Sequence, residues 1–154
     1  MIANLIDHAH VVASISATDK EGAIAEMLDS AAAAGVIKPA HRKPLREALL
    51  ARERDGSTGI GNGVAVPHIK DAKQVKETTL IFGRSETGIP FDAVDGRDVQ
   101  ILFMVIGPQD SAERHLEVLR WVSGLARNAD FRRFTQSAAD ADALRDLLHE
   151  MSAS

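Results

Sequence analysis

The chain has 154 residues, of which 45% are hydrophobic and 26% charged, the proportions of a globular protein, neither disordered nor membranous, with enough length for a buried core. Its net charge of -4 and the lack of any Lys/Arg run leave no basic footprint for nucleic acid. The absence of cysteine excludes disulfides, thiolate zinc sites and cysteine nucleophiles together.

In chain order, the opening "MIANLIDHAHVVASI" lacks a positive n-region and carries Asp7, so no signal peptide is expected. Val11 to Ile15 reads as a short strand. Thr18 and Glu21 have the spacing of a capping box, opening a helix with Ile24, Met27, Leu28 and Ala31 inward and a left-handed stop at Gly35. Lys38-Pro39 opens a second helix, with Leu45, Ala48 and Leu49 inward, that ends near Asp55-Gly56. Val64 to Val66 is a short extended piece before Pro67, Thr78 to Arg84 reads as a strand, and Asp95-Gly96 marks a turn. Val99 to Ile106, "VQILFMVI", is apolar on both parities, as a central strand covered on both faces should be; this run is too short to span a bilayer. A strong helix follows from Asp110 or Ser111, with Leu116, Leu119, Val122, Leu125 and Ala126 on one side. Two shorter helices lie around Phe131 to Phe134 and Leu144 to Met151. Helices alternating with strands predict a single α/β domain over residues 1–154: three layers, a mixed β-sheet flanked by helices. A soluble, cytoplasmic protein is expected.

The stretch "GSTGIGNGVAVPHIK" concentrates the candidate chemistry. It is no dinucleotide fingerprint, because a helix precedes it and a strand follows, and no Gly-Lys-Ser/Thr closes it as in a nucleoside-triphosphate loop. The glycines admit two readings, a tight helix-to-strand connection or a backbone nest for an anion in which Ser57, Thr58, Gly59 and Asn62 are donors. His68 follows among Ile60, Val64, Val66 and Ile69, stiffened by Pro67. An imidazole in such a collar stays neutral, as a packed structural histidine or as a nucleophile, base or metal ligand. His115, early in the strong helix, is a packing residue or an anion neighbour at the positive helix end. Arg52, closing the second helix, is an exposed helix-end residue or a fork for phosphate oxygens. His8 and His10 form an H-x-H without the partners of a zinc site, and His41 and His149 are expected in solvent.

Taken together, "LLARERDGSTGIGNGVAVPH" and "HLEVLRWVSGLARN" resemble the IIA domains of the bacterial phosphoenolpyruvate-dependent phosphotransferase system, in the fructose, mannitol and nitrogen-regulatory branch. The resemblance runs from "TDKEGAIAEML" to the last helix, and "GSTGIGNG" with the free-standing length looks most like the nitrogen-regulatory subgroup. It implies that His68 accepts a phosphoryl group from a histidine phosphocarrier protein, supported by His115 and Arg52, and that no nucleotide, metal or other cofactor is required. It further implies a regulator acting through phosphorylation-dependent protein binding or, alternatively, a sugar-transport component passing phosphate to a separate IIB protein. The chain departs from the family pattern at Ile69, where Gly or Ala usually follows the active histidine. Rival readings are a binding module whose His68 site is a relic, and a metal site built on His68 and His115.

Overall fold

A computed structural model describes residues 2–152. Helix α1 (Ile2–Asp7) precedes strand β1 (His10–Val12), then come α2 (Lys20–Ala33), a 3-10 turn (Pro39–His41), α3 (Arg42–Arg54), β2 (Gly59–Gly61), β3 (Val64–Ala65), β4 (His68–Ala72), β5 (Thr79–Ile89), β6 (Val99–Pro108), α4 (Ala112–Ala126), α5 (Ala129–Ser137) and α6 (Ala141–Ser152). The strands form one mixed sheet in the order β1-β5-β6-β3-β2, with β4 also paired to β6. β5 and β6 are antiparallel, while β1 runs parallel to β5, and both β3 and β4 run parallel to β6.

The apolar stretch read as a central strand is indeed the spine. β6 is buried along almost its whole length, and its two parities feed two cores. Leu102, Met104 and Ile106 join Ile24, Met27, Leu28, Leu45 and Leu49 under α2 and α3. Ile101, Phe103 and Val105 join Val118, Val122, Phe131, Leu144 and Leu148 under α4, α5 and α6. The result is the expected three-layer mixed α/β arrangement. Among the described residues, no helix is long and apolar enough to cross a membrane.

Four local readings are corrected. The cap of α2 is Asp19, whose carboxylate accepts from Gly22 N–H at 2.7 Å; with Asp19 in that position, Thr18 and Glu21 cannot form the box. The stop at Gly35 stands: Gly35 N–H and Val36 N–H donate to Ala32 and Ala31 carbonyls at 3.1 and 2.9 Å, a left-handed cap with φ 79°. The first strand covers only His10–Val12, and the short helix α1 ahead of it was not anticipated. In α3, Ala48 is exposed; in α4, Leu116 is 48% exposed and His115 takes the inward position with Val118 and Val122.

The glycine stretch is a β-hairpin, not a plain helix-to-strand connection. Gly59 pairs with Ala65 and Gly61 with Val64 around an Asn62-Gly63 turn. Asn62 and Gly63 both have positive φ, 58° and 76°, as the hairpin turn that follows strand twist requires. Pro67 then separates β3 from β4, which lie one after the other along β6; the Pro67 carbonyl still accepts from Val105 N–H at 2.9 Å. His68 is thus placed at the first position of β4, opposite Val105.

Candidate active site

His68 is half-buried, and its Nδ1 lies 2.7 Å from the Val66 carbonyl oxygen. A carbonyl can only accept, so Nδ1 carries the proton and the lone pair is on Nε2. Burial pushes the ring below its ordinary value of 6.5, helped by the Arg52 and Lys70 charges and opposed by the Val66 bond and the Glu53 carboxylate. The ring is therefore neutral at pH 7, with Nδ1 assigned to the protein and the Nε2 lone pair free to act as a base or a nucleophile.

His115 faces it. The ring centroids are 5.5 Å apart and tilted by 49°. His115 is 6% exposed, and neither of its ring nitrogens has a hydrogen-bond partner. Burying an imidazole with both polar atoms unsatisfied costs about 1–3 kcal/mol, an unusual arrangement that a ligand with acceptor oxygens would relieve. The ring has room because position 107 is glycine: a Cβ there would stand 2.8 Å from His115 Nδ1. Burial, the His68 ring and Lys70 lower its pKa, while Asp71 opposes them.

Both rings titrate below 6.5, as does His10, which burial and Arg145 push down. The unfolded chain takes up protons near pH 6.5 whereas the folded rings stay neutral to lower pH. The unfolded state then binds more protons, so stability falls as pH drops from about 6.5 toward the folded values. NMR titration of the histidine Cε1–H signals should place the midpoints of His68 and His115 below 6.5; midpoints at or above it would contradict the burial argument.

Arg52 lies in the last turn of α3, where its Nη1 donates to Gly56 O at 2.8 Å and its charge reaches the His68 ring. Lys70, two residues beyond His68 on β4, acts on both rings. Sequence reasoning passed over Lys70, although strand periodicity places residues i and i+2 on one face. The other candidate donors are engaged within the protein. Ser57 Oγ donates to Phe91 O and accepts from Gly59 N–H at 3.0 Å. Thr58 is buried and bonds the Glu53 carboxylate through both its hydroxyl and its N–H, the latter at 3.2 Å. Asn62, at the exposed hairpin tip, donates its N–H to Asp95 Oδ2 at 2.9 Å. Gly59 lies where Ala93 packs, since a Cβ would approach the Ala93 Cβ to 2.7 Å. These residues shape and brace the hairpin, while the His68 and His115 rings face each other, the Lys70 charge acts on both rings and the Arg52 charge acts on His68. Leu116, next to His115 in α4, and Val94, against the hairpin at Gly61, are exposed apolar side chains.

The remaining histidines are dispersed. His8 bonds Asn4 O at 3.0 Å, His10 bonds Ser30 Oγ at 2.7 Å, and His149 Nε2 lies 3.2 Å from Asp7. His41, in the 3-10 turn, and His149, in α6, are both half-buried instead of solvated. Among the described residues, no group of three or more His, Cys, Asp or Glu could hold a metal ion.

Residues 4–151 match the family described as phosphoenolpyruvate-dependent sugar phosphotransferase system, EIIA 2. The nitrogen regulatory protein of Bradyrhizobium diazoefficiens is 30% identical over 147 residues, covering 96% of this chain and 94% of that protein. The fructose-specific EIIA component of Haloferax volcanii is 37% identical over 132 residues, covering 86% and 84%. A fructose-specific EIIABC component of Bacillus subtilis is 32% identical over 149 residues, 97% of this chain but only 23% of that protein. Among solved structures, nitrogen regulatory protein IIA-Ntr from Neisseria meningitidis superposes with a TM-score of 0.83 at 29% identity, covering 96% of this chain and 98% of that one. With nearly every residue matched, the chain belongs to the EIIA 2 family of the phosphotransferase system.

Proposed function

We propose that residues 1–154 act as one cytoplasmic phosphocarrier domain that accepts a phosphoryl group on His68 Nε2 from a histidine phosphocarrier protein. The observation that carries this reading is the neutral His68 ring with Nδ1 committed to Val66 O, set beside the unpartnered imidazole of His115. In the transfer, the Nε2 lone pair forms a bond to phosphorus in line with the donor's P–N bond. That bond breaks, and its electron pair returns to the donor imidazole. Little covalent work is asked of the protein, so rate depends on alignment and on cations or donors at the equatorial oxygens. Arg52, Lys70 and His115 are the groups in place to supply them.

Incubation with phosphoenolpyruvate, enzyme I and phosphocarrier should add one acid-labile phosphate, which ³¹P and ¹⁵N NMR should locate on His68 Nε2. No uptake, or uptake elsewhere, would overturn the assignment. Arg52→Lys keeps a charge but loses the planar fork, so transfer should slow by about 10-fold to 100-fold with an unchanged melting temperature. A wild-type rate would remove Arg52 from the phosphate's surroundings.

The regulatory reading is favoured by the nitrogen regulatory relative and the IIA-Ntr structure, both matched over nearly their full length. Phosphorylation places about -1.5 to -2 charges on a half-buried ring, and so gives the surface around His68 a charge that disfavours apolar or acidic partners. The second reading, passage of phosphate to a separate IIB protein and then to a sugar, draws on the fructose-specific relatives. Sugar-dependent dephosphorylation through an added IIB protein would favour transport. Stable phosphate there, with a target bound only by the unphosphorylated form, would favour regulation.

A further inference from the structure

Glu53 is an oddity of α3. It is an acid in the last turn of a helix, facing the negative end of the helix dipole, and it is 6% exposed. Burying a carboxylate costs several kcal/mol unless charges and donors compensate it. Compensation is complete here. Lys20 Nζ, from the first turn of α2, lies 3.0 Å from Oε2, and Thr58 donates both its N–H and its hydroxyl to the carboxylate. The network continues from there. The Thr58 carbonyl accepts from Val66 N–H at 3.0 Å, and the Val66 carbonyl accepts from His68 Nδ1 at 2.7 Å.

We propose that Glu53, held by Lys20, is a positioning residue for His68: through Thr58 and Val66 it fixes the carbonyl that selects the Nδ1–H tautomer and leaves Nε2 as the nucleophile. The role in transfer rests on the reading of His68 as phosphoryl acceptor. Thr58 is the last of an irregular stretch, residues 55–58, that lies outside the helices and strands, so its place depends on the side-chain anchor. Val66 needs that anchor because Pro67 directly after it has no N–H to pair, and Val66 N–H is committed to Thr58 O. Lys20 also stands 4.9 Å from the Phe91 ring centroid, and Ser57 Oγ bonds Phe91 O. The same cation thereby braces both sides of the loop. Outer hydrogen-bond partners of this kind set which nitrogen of a histidine carries the proton.

The test is ¹⁵N NMR of histidine-labelled protein, unphosphorylated at pH 7.5, together with rates of phosphoryl uptake from the phosphocarrier. In wild type, His68 should show a protonated Nδ1 and an unprotonated Nε2. Glu53→Gln and Lys20→Met should shift His68 toward the Nε2–H tautomer and lower kcat about tenfold, with KM for the phosphocarrier unchanged. Lys20→Arg should restore both. Should Lys20→Met not fold, because it leaves the buried carboxylate without its cation, Glu53→Gln carries the comparison, since it removes that charge and leaves only the partly exposed Lys20 unpaired. Folded variants with the wild-type tautomer and kcat would overturn the proposal. A wild type that accepts no phosphate would instead overturn the phosphocarrier reading, and the tautomer would still decide whether Glu53 positions His68.

Discussion

His68→Ala takes up no acid-labile phosphate, yet melts close to wild type. The expectation follows from how little of the fold depends on the ring. His68 is half-buried, and its one hydrogen bond reaches the Val66 carbonyl. Losing a neutral hydrogen bond costs about 1 kcal/mol, which for a chain of this size shifts the melting temperature by about 2–4 °C. Removing a partly desolvated imidazole offsets some of that. The chemical loss is expected to be complete because the neighbouring imidazole, His115, is 6% exposed and presents neither nitrogen at the open surface for in-line attack, although it can donate to an oxygen brought against it. His115→Ala is the contrasting variant. It keeps the nucleophile but loses one group beside the phosphate, so it should still label, about 100-fold more slowly. Label on His68→Ala, or none on a folded His115→Ala, would reverse the two roles.

The spine of this fold was legible because β6 is covered on both faces, and burial on both faces leaves a continuous apolar run. The helix stops were legible where glycine alone fits, as at Gly35 with φ 79°. The hairpin was misread although its signal was present: Asn62-Gly63 is the dipeptide that a two-residue turn with both φ positive demands. Leu116 was placed inward because it is apolar, but α4 turns His115 inward instead, into room that Gly107 leaves. A polar residue on the buried stripe is a functional signature that hydropathy reads as an error. Type and neighbourhood made His68, His115 and Arg52 candidates, each beside a plain packing or surface reading, and only the family resemblance joined them. Glu53 could not, since its partners Lys20 and Thr58 are brought to it by α2 and by the loop, contacts that no local pattern encodes.

Arg84→Met should cost about 3–5 kcal/mol of stability, a large share of the roughly 5–15 kcal/mol available to a domain. Arg84 reads in sequence as the polar end of a strand, yet it is 4% exposed. Its guanidinium donates to Ala13 O at 2.9 Å, Thr135 O at 2.9 Å and Ala138 O at 2.6 Å. The last two carbonyls lie at the C-terminal end of α5, where backbone acceptors have no helical partner and the dipole favours a cation. One side chain thus ties β5 to the segment after β1 and to the α5–α6 connection. Methionine fills similar volume without donors, leaving buried carbonyls unsatisfied at about 1–3 kcal/mol each, reduced where water can enter. The melting temperature should fall by about 10 °C or more. Arg84→Lys, which retains the charge but not the fork, should fall between the two. The site lies on the β3–β4 side of β6, whereas Arg84 belongs to β5 on the other side. Below its transition, Arg84→Met should therefore accept phosphate at close to the wild-type rate. A variant as stable as wild type would show that these three carbonyls find other partners, and a folded variant with lost transfer would show that β5 communicates with His68.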